Sequence, residues 1–486
     1  MKKPDANGPA RTGRVGWPLP AAMFGFVLAV QLFLIARIGT DIPYQDQWDV
    51  EGHRLYPAWR AGTSHAADLL RAHNEHRILW TKLLDLALFS INGQWDPLVQ
   101  LAADAVIRAA AAALLAWMLA RGFGRKGKWL VATGVGLAFL PHVAWENALW
   151  AFQSSVYFSI LFSLAALALL ADPGRSRWRL AVGLAAGVAA LFAMGAGAFV
   201  PVALLGLAMV HALERRRWDR ALLREAAPAL ALLALAWMLR ATVPAHAPLQ
   251  AMTVGQFFNA LGRALSWPHT AMPAAALVLN LPLLLAVGGR IGGRRRATTG
   301  EDFVLLIGGW SVIAAGAMAW ARGGGHELEV GVTIRYVDFL LLLPIANGWC
   351  AVMLLREAAD SRRQLARVLA GAWGLFLFVG WLGVSAQIMR GFILPRMRDR
   401  DLPVRLAVAY QRSGDETVFA GQPPFFCPHP DLRSVQSVLN DPRMRDALPP
   451  SFQPTQPMGP LSCAVRALLG RQNGGAPLVP APEVKK

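Results

Sequence analysis

Apolar residues in this chain come in long runs, many close to the roughly 20 residues a helix needs to cross hydrocarbon, with short polar stretches between them. The runs predict helices at about 17–38, 97–120, 129–141, 155–171, 180–193, 200–213, 226–242, 272–289, 303–321, 336–355 and 368–389. The expected fold class is an all-α polytopic membrane protein with about 11 transmembrane helices. Residues 180–213 also read as one tilted helix. That reading would put the Arg-rich loop from Glu214 on the wrong side for its charge, which favours two short helices around "MGAGAF". Two stretches depart from the pattern: 39–96, far longer than the other outer loops, and everything from 391, which turns polar and proline-rich. The expected organisation is a membrane domain over 1–390, a small tail subdomain over 391–473 and a disordered end over 474–486.

Composition agrees, with 55% hydrophobic residues, 16% charged and a mean hydropathy of +0.38, which argues against a water-soluble globule. The net charge of +18 would suit a nucleic-acid partner if it were gathered into one patch. Instead the basic residues recur at alternate loops: "RGFGRKGK" from Arg121, "DPGRSRWR" from Asp172, "GGRIGGRRR" from Gly288 and "REAADSRRQLAR" from Arg356. The short loops between them carry only Arg263, Arg322 and Arg335. This asymmetry predicts a bacterial inner-membrane protein with a cytoplasmic N-terminus, a periplasmic C-terminus, the lipid bilayer as partner and no nucleic acid. Lys2, Lys3, Arg11 and Arg14 before the first run also suit a signal peptide. The run is longer than the roughly 7–15 residues of such a segment and lacks a small-x-small site before Asp41, so it reads as an uncleaved helix.

In the tail, the spacing of Leu432, Val435, Val438 and Leu439 predicts an amphipathic helix followed by a turn at Asp441-Pro442. Cys427 and Cys463 fall there, and an oxidising compartment permits a disulfide between them, with two free thiols as the alternative; Cys350 sits inside a predicted helix.

The long first loop places "IPYQDQWD" directly after the first helix, then "LLRAHNEHRILW", then "ILWTKLLDLALFSI". Ile78, Leu79, Lys82, Leu83, Leu86 and Phe89 recur at helical spacing in that last run, which predicts a helix lying in the interface; Asp85, on the same run, reads as outside the chemistry.

In these features the chain resembles the GT-C superfamily of polytopic glycosyltransferases, which use polyprenyl-phosphate-linked sugars and include lipid A aminoarabinose transferases and protein O-mannosyltransferases. The matching order is Asp46, Asp49, Tyr56 and Gly62, then "NEHRILWTKLLDLALFSINGQWDP", with "LFAMGAGAFVPVALLGLAM" similar to the superfamily's short-helix, glycine-turn, short-helix pair. "EHR" from Glu75 replaces the relatives' frequent Lys-Pro-Pro, and the acidic motif reads Asp-Gln-Trp-Asp. The resemblance implies a glycosyltransferase with a polyprenyl-phosphate sugar donor and a lipid, glycan or protein acceptor. It does not extend to the tail.

Such transfer needs a base for the acceptor hydroxyl and cations for the phosphate. Asp46 is the first candidate base and Asp49 the second, with Tyr44 and Trp48 expected to desolvate them. Arg77 and Arg335, the latter paired with Tyr336 in an Arg-Tyr motif like that of some superfamily members, are candidates for holding phosphate, against plain interfacial snorkelling. The sequence establishes no cofactor. A divalent metal on His73, Glu75, His76 and the aspartates is the one candidate, against a solvated loop. Glu146 and the loop residues His326, Glu327 and Glu329 are expected along an acceptor cleft, with Trp145 and Trp150 as an aromatic belt or as sugar platforms. Asp104, Arg108, Arg240 and Asp338 lie at or near membrane depth, and Asp104 and Arg108 share a helix face on which they can pair. The alternative functions are a transporter or flippase, or a non-catalytic assembly subunit, for a lipid-linked envelope glycan; neither clear internal repeats nor a phosphate-binding loop is present.

Overall fold

A computed structural model of the chain describes residues 17–121, 123–172, 174–293, 299–325 and 332–471. Every apolar run identified above is helical, and no strand occurs among the described residues. Among the described residues eight helices are long and apolar enough to cross a bilayer: Pro18–Ile38, Pro97–Ala120, Ala151–Leu170, Gly195–Arg215, Arg220–Met238, Gly300–Arg322, Ile334–Glu357 and Asp360–Arg398. Helices Arg125–Ala138, Arg177–Leu191 and Ala275–Ile291 have 14, 15 and 17 residues. At 1.5 Å per residue they reach about 21–26 Å, short of a hydrocarbon core of about 30 Å. Length therefore separates these three from the eight.

Local sequence sets the boundaries. Helix Pro97–Ala120 starts with proline at its first position, and the Asp96 carboxylate accepts from Leu98 N at 2.9 Å. The interfacial run is helix Leu79–Asn92, ended by Gly93 at φ 68. "MGAGAF" joins two helices, Arg177–Leu191 and Phe199–Arg215, through a 3-10 turn. A Cβ on Gly197 of that turn would lie 2.1 Å from the Ala190 carbonyl oxygen, so only glycine fits the close return.

Helix Pro97–Ala120 packs between Pro18–Ile38 and Ser154–Leu170 at the heart of the bundle. On it, Arg108 turns away from Asp104. Its guanidinium donates to Phe139 O at 2.7 Å, meets Asp338 Oδ1 at 3.4 Å and lies over the Phe139 and Tyr157 rings. The expected Asp104–Arg108 pair is thus replaced by one between helices, and both Asp104 oxygens are buried without a hydrogen-bond partner. Arg240 lies past the end of helix Arg220–Met238, exposed and over Trp237.

The tail docks against the first loop. Trp48, Tyr56, Phe89 and Trp95 of the first loop share one apolar core with Leu406, Tyr410, Val435, Val438 and Phe452 of the tail. The expected tail helix is Leu432–Leu439, with all four spaced residues buried. Arg466 clasps Asp96 and Asp41, Asn92 and Ser462 exchange two hydrogen bonds, and Arg471 caps the first span by donating to Ile35 O and Gly39 O. The boundary expected at 390 falls inside a continuous helical run from Asp360 to Arg398. Cys427 and Cys463 are free thiols: Cys427 Sγ points at the His429 carbonyl, while Cys463 sits on the docking helix Pro460–Leu468 beside Met458, so the expected disulfide is absent.

Candidate functional site

The first loop is built on two unusual backbone features. Gln45 adopts a left-handed conformation at φ 51, and its N–H donates to Pro428 O of the tail at 2.7 Å. From Trp48 to Leu55 the chain forms a π-helix carrying Asp49, Glu51 and His53, a geometry that recurs at functional sites. A second turn, closed by mutual His73 and His76 backbone bonds around left-handed Asn74, presents the residues of "HNEH".

Three carboxylate–imidazole pairs result. Asp46 Oδ2 lies 3.5 Å from His73 Nε2, and Asp49 Oδ2 lies 3.4 Å from His429 Nε2 of the tail. Glu75 pairs closely with His246 in the 3-10 turn Pro244–Leu249. The Asp46 and Asp49 side chains keep 32% and 34% of their exposure, enough to meet a ligand. The His429 hydrogen bond lowers the Asp49 pKa below the usual carboxylate range, and the Ser434 hydroxyl donates to the other carboxylate oxygen at 3.3 Å. His76 is buried, which pushes its imidazole down to about 4; its Nδ1 accepts from Gly195 N at 3.3 Å, tying the loop to the "MGAGAF" turn.

Below these pairs lies a carboxyl cluster that the sequence pattern did not reveal. Gln100, on helix Pro97–Ala120, donates to Glu51 Oε2 and Asp85 Oδ1, both at 2.8 Å, and Tyr56 donates to Glu51 at 3.2 Å. Glu51 and Asp85 are 0% and 1% exposed. Burial pushes Glu51 up to about 7 against the opposing hydrogen bonds of Gln100, Gln47 and Tyr56; burial and then the Glu51 charge push Asp85 well above the ordinary range. Asp85 is thus central, and the inward face of helix Leu79–Asn92 includes Thr81, Lys82 and Asp85 while Leu83 is exposed. Lys82 donates to the carbonyls of Asp68 and Arg71, and burial lowers it to about 8.

Several expected ligand contacts are structural. Trp48 is fully buried, packs edge-on against Trp95 and Phe452, and donates to Pro43 O; it is core, not a wall of the site. Arg77 spends its guanidinium on Leu239 O and Leu70 O. Trp145 and Trp150 are buried, Trp145 stacking on Phe392 and Trp150 meeting Tyr44 edge-on, so neither forms an exposed belt. Arg335 lies over Tyr336 at the start of span Ile334–Glu357, with its carbonyl held by Asn147. Glu146 and Tyr44 line a cavity with residues of the tail. His326, Glu327 and Glu329 lie outside the described residues. Among the described residues no three His, Cys, Asp or Glu side chains converge in a way that could hold a metal ion.

The arrangement brings Asp46, Asp49, His73, Glu75 and His76 to one face and adds His246 and His429, which come from distant segments and follow no spacing. Chemically it offers two accessible carboxylates, each with an imidazole neighbour, above buried carboxyls whose pKa values burial raises. No family model matches the chain, and no curated protein matches it.

Proposed function

We propose that the chain is a membrane glycosyltransferase of the GT-C type, with about 11 spans, that moves a sugar from a polyprenyl-phosphate donor to a lipid, glycan or protein acceptor at the periplasmic face. The observation that carries this reading is the accessibility of Asp46 and Asp49 where the first loop meets the tail, while Glu51, Asp85, Asp41 and Asp96 beside them are buried. Asp46 is the preferred base, because its one ion-pair contact is the long one to His73, whereas Asp49 is held ionised by His429. In the step proposed, the acceptor hydroxyl gives its proton to Asp46 as its oxygen bonds the anomeric carbon, and the bond from that carbon to the phosphate oxygen breaks. Arg335 remains the candidate for the departing phosphate, since both bonds described for Arg77 go to carbonyls.

A second reading, transport, is favoured by the buried Asp104, Arg108 and Asp338 inside the spans, because ionisable groups at such depth often mark translocation paths. The test is mass spectrometry of lipids and glycans from cells lacking the chain and complemented with wild type, Asp46→Asn, Asp49→Asn or, as a control, exposed Asp360→Asn. Loss of a sugar-sized increment with Asp46→Asn at normal protein level, with a fall in transfer of roughly 10²–10⁴-fold, is expected. Unchanged products in both loop variants would remove the transferase reading in favour of transport or assembly.

A further inference from the structure

Arg396 is 9% exposed, yet no carboxylate pairs with it among the described residues. Its partners are the Phe425 carbonyl, at 3.3 Å from Nη1, and the Phe426 ring, 5.7 Å from the guanidinium carbon. A guanidinium has five donors, and one carbonyl with one ring leaves most of its charge uncompensated. Burying a charge in that state is unfavourable, and a bound anion removes that cost. The other buried arginines of the molecule conform to the ordinary pattern: Arg466 has Asp41 and Asp96, Arg290 has Asp302 and Glu214, and Arg108 has Asp338.

Arg396 lines a cavity of about 30 Å³ where the first loop, residues 145–150 and the tail meet. The walls are largely aromatic, from Tyr44, Trp145, Trp150, Phe425 and Phe426, and Glu146 and Thr40 add further polar groups. Burial and then the Glu146 charge raise the Tyr44 pKa, so its phenol stays protonated and able to donate. As it stands the space holds one or two waters, so a larger ligand requires the 423–428 segment to shift and the Arg396 bond to Phe425 O to be exchanged.

We propose that this cavity is a binding site for a phosphate group carried on a small hydroxylated headgroup: Arg396 and Tyr44 hold the oxyanion, Glu146 accepts from a hydroxyl, and the rings cover the carbon. The proposal does not require the transfer reading, and five of the thirteen residues that line the cavity lie beyond residue 390. A lipid headgroup and a free glycerol phosphate share this chemistry.

The test uses the full chain in neutral detergent. Native mass spectrometry reads binding of phosphatidylglycerol against phosphatidylcholine, and thermal unfolding reads protection by free glycerol phosphate. Wild type, Asp46→Asn, Tyr44→Phe, Arg396→Lys and Arg396→Gln are compared. Preferential binding of phosphatidylglycerol, weakened about 10- to 100-fold in Arg396→Gln and less in Arg396→Lys and Tyr44→Phe, is expected, with Asp46→Asn unaffected. Protection by glycerol phosphate alone, lost in Arg396→Gln, supports the site and assigns it a soluble ligand. Equal binding of every probe by wild type and a folded Arg396→Gln overturns it. If Arg396→Gln fails to fold, Tyr44→Phe and Arg396→Lys decide on the same criterion.

Discussion

Histidines and carboxylates cluster at both ends of the bundle, and the two clusters are built differently. At the end joined by the Arg-rich loops, His211 lies between Glu225 at 2.7 Å and Asp302 at 3.3 Å. Arg290 reaches Asp302 at 2.6 Å and Glu214 at 2.9 Å, and Arg215 reaches Glu225 at 2.7 Å. Each carboxylate there has a cation, and the chain of pairs ties together helices Phe199–Arg215, Arg220–Met238, Ala275–Ile291 and Thr299–Arg322. At the opposite end the imidazole contacts of Asp46 and Asp49 are long, both side chains are accessible, and Glu51 and Asp85 share a glutamine with no cation. Saturated, buried charge holds helices together. Accessible or unsatisfied charge is what a protein keeps for chemistry.

The largest expected effect that can break this contrast is at the saturated end. Arg290→Ala leaves Asp302 and Glu214 without their shared cation, and removing one partner of a buried pair costs roughly 3–5 kcal/mol. The expected outcome is a markedly lower unfolding temperature in detergent, with transfer by the surviving folded protein close to normal. Loss of the proposed transfer at unchanged stability would move the proposed chemistry to this end.

How much of this was legible follows from what each signal depends on. Apolar runs depend only on neighbours in sequence, and every one became a helix. Charge-rich 360–367 hid the true start of the last long helix, because a helix projecting beyond hydrocarbon needs no apolar residues there. A tryptophan between two aspartates reads as a group that desolvates them, and only the arrival of Trp95 and Phe452 makes Trp48 core. Asp46, His73 and His76 were readable as a polar motif. Glu51 and Asp85 were not, since the residue that joins them, Gln100, comes from inside a span. His429 lies in the tail and Arg396 at the end of the last long helix, where neither periodicity nor the resemblance gives a guide to what they face.

A smaller effect sharpens the unsatisfied side. Glu51 has a folded-state pKa raised to about 7, so the folded chain binds its proton more tightly than the unfolded chain does. Stability contributed by this group is present at low pH and lost as pH rises from the ordinary carboxylate range through about 7. Glu51→Gln keeps a hydrogen-bonding side chain that cannot ionise. The slope of unfolding temperature between about pH 5 and 8 is therefore expected to flatten in this variant relative to wild type. Equal slopes would place the shared proton elsewhere, with Asp85 the next group to replace.

The smallest effect concerns the join between loop and tail, where Asp49 meets His429. Burial alone would lower the His429 pKa, but its bonds to Asp49 and to the Asp431 carbonyl outweigh burial and raise it. The His429⁺ contribution is therefore complete below the ordinary histidine pKa and lost as pH rises through the raised value, while Asp49, its own pKa lowered, stays ionised throughout. Hydrogen exchange over Leu432–Leu439 is expected to accelerate modestly in wild type between about pH 6 and 8.5, after correction for intrinsic rates. In His429→Gln the same helix should exchange faster at the low end of that range and show little further change. Since Asp49 is about a third exposed, the shift should be small, and it separates two roles for the pair. If protection responds to pH while transfer does not, the pair fastens the tail; if transfer falls with protection intact, His429 positions Asp49 within the reacting site.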